Sequence, residues 1–278
     1  MLKEIYDEVS YVTLGDEESK YVKFLDEIFL SFIKEKNNVK EYRIPAMIKK
    51  AILRKCGYFE TFPQHLTVAA TIKQESYEDA KNLNDDEEYI ISENYFTPAA
   101  CLHIYPTLEG KKIDGNYIYT TMARVYRNEA NKFEYLVRLW DFTVREIVFI
   151  GSPEFVEKEL TEIEEKAIKF AMALGFNPVV KKANDHFYPS KKNEIKEKIQ
   201  LANSLKDELV VRIGDKDVAL CSFNTHNYHF SKTFKFDNDG KVVSGCVGFG
   251  IERWIAAIKY YNVSIEKILK LKEERGER

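Results

Sequence analysis

Two runs rich in aromatic and β-branched residues, 117 to 126 and 135 to 150, flank the polar stretch Asn128 to Phe133 and constrain this chain more than any other feature. Tyr, Val, Ile, Phe and Trp at that density predict two antiparallel strands joined as a hairpin. Charges are planted along it, in Ala123-Arg124-Val125-Tyr126-Arg127-Asn128-Glu129 and again in Arg138-Leu139-Trp140-Asp141-Phe142-Thr143-Val144-Arg145-Glu146-Ile147. Arg127 and Glu129 stand two apart, so a regular strand puts them on one face. A guanidinium offers a planar fork of donors to phosphate oxygens, and a carboxylate accepts from an amine such as that of adenine. Taken in isolation, the two are equally an exposed charge pair on a strand.

The second half of the pattern lies near the other end. Gly245-Cys246-Val247-Gly248-Phe249-Gly250-Ile251-Glu252-Arg253-Trp254 reads as a glycine-broken strand that runs directly into a helix, Ile251 to Tyr261. The glycines permit close approach of backbone or ligand, and a helix start presents oriented N–H groups to phosphate. Arg253 falls in its first turn. In this order, Tyr-Arg-Asn-Glu, Arg-Leu-Trp-Asp-Phe and Gly-Phe-Gly-Ile-Glu-Arg-Trp resemble motifs 2 and 3 of the class II aminoacyl-tRNA synthetases. The resemblance implies an α+β fold, an antiparallel sheet flanked by helices, with ATP held by Arg127, Glu129, Arg138, Phe142, Gly248, Gly250 and Arg253.

With 278 residues, 45% hydrophobic and 13% aromatic, the chain can bury a substantial core. We expect a single catalytic domain over 1–278, with 1–40 as a helical extension. The formal charge is −3, from 42 basic and 45 acidic residues interspersed rather than blocked, which leaves no electrostatic footprint for nucleic acid. Four cysteines in a chain of this length do not make a disulfide scaffold. Met1 to Val12 is studded with charges and no apolar run reaches membrane length, so a cytoplasmic protein is expected.

Taken in order, Asp16 to Lys36 predicts an amphipathic helix with Leu25, Ile28, Phe29 and Phe32 on its apolar stripe. Pro45 opens and Gly57 closes a predicted helix Ala46 to Cys56, followed by a strand Leu66 to Ile72. These fall where class II enzymes carry motif 1, their dimer-forming element, so a homodimer is expected. Glu75 to Glu88 reads as a loop or short surface helix, Ser152-Pro153 to Gly175 as a long capped helix, and 191–205 as an amphipathic helix. Leu209 to Ile213, Val218 to Phe223, Thr233 to Phe236 and Val242 to Val247 read as strands, with a turn at Asp237-Asn238-Asp239-Gly240.

Spacing alone does not connect Cys101, Glu146 and Cys246. The connection comes from resemblance to zinc-dependent seryl-tRNA synthetases of methanogens and to the amino acid:carrier protein ligases, which hold zinc with Cys, Glu and Cys at these places. Two thiolates and a carboxylate leave a fourth position open for an α-amino group. Read singly, each cysteine is a small buried hydrophobe, which is the reading kept for Cys56 and Cys221. Ser222-Phe223-Asn224-Thr225-His226-Asn227-Tyr228-His229-Phe230, Asn184-Asp185-His186-Phe187-Tyr188 and Lys206-Asp207-Glu208-Leu209-Val210-Val211 also resemble elements of the carrier protein ligases. Thr225, Asn227-Tyr228 and His186 depart from them.

That resemblance implies adenylation of a small amino acid by ATP and Mg²⁺, then its transfer to the phosphopantetheine thiol of a carrier protein. Ala100, Cys101, Glu146 and Asn224 would bind the amino acid. Glu208 and Asp217 would hold Mg²⁺ on the phosphates, or are surface carboxylates; for His226 and His229 a functional role stays open beside that of structural histidines at a strand end. Without the tRNA-holding arm and basic domain of seryl enzymes, tRNA is not the expected acceptor. A truncated tRNA synthetase paralogue and a non-catalytic ATP- or amino-acid-binding paralogue are the alternatives.

Overall fold

The computed structural model describes residues 11–78, 81, 88–129, 133–184, 188–190, 193–195, 198, 205–237 and 240–274. Its strands are β1 Val39–Glu41, β2 Met47–Lys49, β3 Val68–Ile72, β4 Tyr89–Phe96, β5 Tyr117–Tyr126, β6 Asp141–Gly151, β7 Val179–Lys182, β8 Lys206–Ile213, β9 Lys216–Asn227 and β10 Val243–Gly250. Its helices are α1 Asp16–Ser31, α2 Lys50–Lys55, α3 Tyr58–Thr61, α4 Pro153–Leu174, α5 His229–Phe234, α6 Ile251–Tyr260 and α7 Ile265–Glu274. Among the described residues, no helix is long and apolar enough to cross a membrane.

The main sheet runs β1-β5-β6-β10-β9-β8-β7, and a smaller one β2-β4-β3. All pairings are antiparallel except β1 with β5. Strand alternation gives the main sheet two unlike faces. Ile147, Phe149, Val247, Phe249, Leu209 and Val211 pack with Phe29 of α1, Phe170 of α4 and Trp254 of α6. Phe29 stacks on Phe249 with ring centroids 4.1 Å apart. Arg145 also belongs to this helical face; it is buried and paired at 2.6 Å with Asp26 of α1. The other face carries Tyr119, Val148, Ile150 and Cys246 and is covered by Cys101, Tyr105, Phe230 and Phe234.

Local chemistry explains the ends of α4: Phe155 N donates to Ser152 Oγ at 3.2 Å, and Gly175 closes the helix at φ +92°. Residues 16–31 contribute α1 to the main core and 39–41 the edge strand β1.

Three predicted elements differ. The helix placed over Ala46 to Cys56 begins only at Lys50, because Met47–Lys49 pairs with Asn94 to Phe96 as β2. The strand placed at Thr233 to Phe236 is instead the end of α5 at Phe234 and the turn that follows it; Phe230 and Phe234 are one helical turn apart and both bury against Tyr105. The second hairpin strand starts at Asp141 rather than 135; Glu134 and Arg138 close a tight turn on each other with Leu136 at φ +59°. Most of 191–205 and of 75–88, with Asp185 to Phe187, Asn238 and Asp239, lies outside the described residues; 193–195 are helical, and Gln74–Ser76 form a short 3-10 turn.

Candidate active site

The register of the main sheet builds the site. Reading across β5, β6, β10, β9 and β8, Thr121 pairs with Glu146, Glu146 with Gly248, Gly248 with Ser222, and Ser222 with Glu208. Two residues along, Val148 pairs with Cys246, Cys246 with Asn224, and Asn224 with Lys206. Residues two apart on a strand share a face, so Glu146, Cys246, Asn224 and Glu208 project to one side of the sheet. It is the side away from α1, α4 and α6.

Cys101 approaches from above that face on the 3-10 turn Ala100–His103. The segment leading into it is sewn to the hairpin: Tyr126 N donates to Thr97 O at 2.8 Å, and Arg127 Nε to Pro98 O at 2.9 Å. As a result the Cys101 sulfur, a Glu146 oxygen and the Cys246 sulfur all lie within 4.8 Å of one another, buried. Burial raises the Glu146 carboxyl to about 7, against hydrogen bonds with Cys246 and Cys101 and the nearby Arg127 charge, which lower it. The Cys246 thiol is pushed well above its ordinary range by its hydrogen bond with Cys101, then by burial and the Glu146 charge.

With so little solvent, two thiols and a carboxyl in this position can ionise together only if a cation joins them. Their identity, two sulfurs and one oxygen, fits zinc. Thr121 Oγ1, fully buried and level with Glu146, has no hydrogen-bond partner, so the polar pocket has unused capacity. Gly248 keeps the space open, because a Cβ there would lie 3.1 Å from Glu146 Oε2.

A cluster of charge lies alongside. Arg127 stands over Phe142, its guanidinium carbon 5.6 Å from the ring centroid. Arg138 pairs with Glu129 at 3.0 Å and Lys206 with Glu208 at 3.0 Å. Arg253 is partly buried and clamped by Val137 O at 2.8 Å and Ala219 O at 3.2 Å. Desolvation holds its guanidinium below the usual range; the Glu129 and Glu208 charges oppose that, and Arg127 and Arg138 add to it. Two further arginines and two carboxylates thus lie within electrostatic reach of Arg253, a mixed set of fork-shaped donors and carboxylate acceptors. At Gly250, the entrance to α6, a Cβ would meet Arg253 Cδ and Leu220 O, each at 3.8 Å.

Asp217 is not brought into this cluster. It sits at the exposed turn end of the β8–β9 hairpin, paired with Lys181 at 2.5 Å and Arg212 at 3.1 Å. Ala100 is fully buried and packs with Val125, Val144 and Phe142. Cys56 and Cys221 are buried among apolar side chains.

Sequence reading passed over Glu252, whose carboxylate is buried and accepts from Thr143 N at 2.8 and 2.9 Å and from Thr143 Oγ1 at 2.9 Å. It pins the start of α6, and with it Arg253, to β6. Its place beside Arg253 in the Gly-Phe-Gly-Ile-Glu-Arg-Trp string was the available signal.

No protein-family model matches the chain. Over 234 residues it is 30% identical to amino acid–acyl-carrier-protein ligase 2 of Bradyrhizobium diazoefficiens, covering 80% of this chain and 69% of that protein. The chain belongs to the amino acid–acyl-carrier-protein ligase family. The type-2 serine–tRNA ligase of Methanocaldococcus jannaschii is 29% identical to this chain over 258 residues, 83% of this chain. The chain spans about half of that relative, 49% of its length. The structure of M. kandleri SerRS in complex with A. aeolicus tRNASec superposes with a TM-score of 0.82 at 20% identity, over 98% of this chain and 58% of that one. The fold is that of the class II synthetases, an antiparallel sheet flanked by helices, as the two motifs implied.

Proposed function

We propose that the chain activates a small amino acid with ATP as an aminoacyl adenylate and passes it to the phosphopantetheine thiol of a carrier protein. The observation that carries this reading is the convergence of Cys101, Glu146 and Cys246 on one face of the sheet, with the Arg127 charge acting on Glu146. Zinc bound by the three would supply an open coordination position to the amino acid's α-amino group.

The rest follows from the chain's own residues. Ala100 and Asn224 border the amino acid, with its carboxylate toward Arg127. A carboxylate oxygen bonds to the α-phosphorus of ATP while the bond to pyrophosphate breaks. Arg127 offsets charge on the α-phosphate, Arg253 holds the γ-phosphate, Phe142 carries the adenine and Glu129 accepts from its amino group. Arg138 lies along the same ATP, and Glu208 meets its Mg²⁺. Positioning and fixed charge account for the catalysis, with no protein nucleophile. The carrier's thiolate sulfur then bonds to the adenylate carbonyl, AMP leaves on its phosphate oxygen, and the thiol proton passes to solvent.

The similarity to serine–tRNA ligases favours a second reading, in which the acceptor is tRNA. Amino-acid-dependent pyrophosphate exchange across a panel of amino acids tests the first step. Transfer to holo but not apo carrier, with no charging of bulk tRNA, is the expected second result; robust tRNA charging would replace it. Metal analysis should find about one zinc per wild-type chain and none in Cys101→Ala or Cys246→Ala. Exposed Met47, Ile90 and Ile91 on the small sheet support a homodimer built near the motif 1 region, which sedimentation measures.

A further inference from the structure

Next to the Cys-Glu-Cys set lies a second group of polar side chains that the proposed reaction does not use. His226, near the end of β9, has Nε2 at 3.7 Å from Cys246 Sγ. Its Nδ1 is 3.1 Å from the Tyr105 hydroxyl and 3.4 Å from Ser244 Oγ. Tyr105 is fully buried and stacked on Phe230, with centroids 3.8 Å apart and planes at 10°. Phe230 meets the His226 ring edge-on at 5.0 Å and 83°. Packing therefore fixes both rings, and their polar atoms with them.

The direction of the hydrogen bonds follows from what each group can offer. A buried phenol donates its proton to the best acceptor within reach, and an imidazole nitrogen accepts better than a serine hydroxyl. When Nδ1 accepts, the neutral ring carries its one proton on Nε2, which faces the Cys246 sulfur. Asn224 Nδ2 reaches the same sulfur at 3.7 Å. Two N–H donors on one sulfur suit a thiolate and are wasted on a thiol. His226 is not one of the metal-facing set, since among the described residues that set is Cys101, Glu146 and Cys246 alone.

We propose that Tyr105 and His226 form a relay that fixes an N–H on Cys246 Sγ, so that His226 is a positioning residue for the metal-ligating thiolate. The assignment rests on the reading of the trio as a zinc site. Outer hydrogen bonds of this kind orient a ligand and tune its charge, and losing one costs about 10- to 100-fold in metal affinity.

Zinc affinity is read by chelator competition, and thiolate bonding by the sulfur-to-metal charge-transfer band of the cobalt-loaded protein. His226→Leu should weaken zinc binding by about 10- to 100-fold and shift the band. In His226→Gln the amide N–H can still reach the sulfur, so most of the affinity should return; a lost metal ligand would not be rescued this way. Tyr105→Phe should move both readouts in the same direction by less. A folded His226→Leu variant with zinc affinity within about twofold of wild type and an unshifted band overturns the proposal, as does a Gln variant as weak as Leu. If His226→Leu does not fold, Tyr105→Phe decides by the same criteria. Wild-type protein that binds no zinc removes the metal site itself, a separate failure.

Discussion

Gly248 faces the Glu146 carboxylate across the β6–β10 pair so closely that a Cβ on residue 248 would stand 3.1 Å from Oε2. The carboxylate must move by a few tenths of an ångström to admit a methyl group. Gly248→Ala should therefore fold, at a cost within about 1–3 kcal/mol, and bind zinc about tenfold less tightly. Thermal unfolding and chelator competition on the same preparation separate the two effects.

The arginines should act on ATP alone. Arg127→Ala and Arg253→Ala should each reduce pyrophosphate exchange by about 10²- to 10³-fold for every amino acid, with zinc content unchanged. Arg253 also clamps Val137 O and Ala219 O, so its variant needs a melting curve alongside the kinetics. Exchange near the wild-type rate in Arg127→Ala would mean that the likeness to the ligases is one of fold only.

Glu146 should behave in the opposite way. Glu146→Ala should lose zinc and amino acid binding yet still bind ATP, as followed by calorimetry. Disappearance of ATP binding together with zinc, in a variant that remains folded, would contradict the division of labour between the trio and the arginine cluster.

The two carboxylates expected at Mg²⁺ should separate. Glu208 lies in the row with Glu146 and Gly248, whereas Asp217 is held by Lys181 and Arg212 at the hairpin turn. Glu208→Gln should weaken Mg²⁺-ATP binding about tenfold or more, a loss of about 1.4 kcal/mol, while Asp217→Asn stays within about twofold. Titration calorimetry with and without Mg²⁺ distinguishes them.

The acid limb of stability should carry a contribution from α4. Hydrogen bonds and charge from Lys36 and Lys166 lower the Glu162 carboxyl to about 2 from its ordinary 4.5. Because the folded value is the lower one, the unfolded chain binds more protons between the two values, so the contribution is present above pH 4.5 and fades as pH falls towards 2. The side chain is one-third exposed, so solvent screens the pair and the effect is modest. Glu162→Gln should flatten the loss of stability over that interval relative to wild type, as measured by denaturant unfolding at a series of pH values.

By itself the sequence determined those features that depend on neighbours along the chain. The β5–β6 hairpin is written in its β-branched and aromatic density, α4 in Ser152, Pro153 and Gly175, and the β10-to-α6 junction in its glycines. Cys101 and Cys246, which spacing could not connect, were joined only by resemblance to the zinc-dependent seryl-tRNA synthetases and the carrier protein ligases. Tertiary structure decided whatever depended on partners remote in sequence. Met47–Lys49 is a strand because β4 offers it a ladder, and local periodicity has no knowledge of that edge. Residues 229–234 are helical because Phe230 and Phe234 must reach Tyr105 together, which outweighs the strand preference of Thr233 and Phe234. The site is a matter of register: Glu146, Gly248, Ser222 and Glu208 share one row only because four strands pair in that phase, and a slip of one residue would turn each to the opposite face.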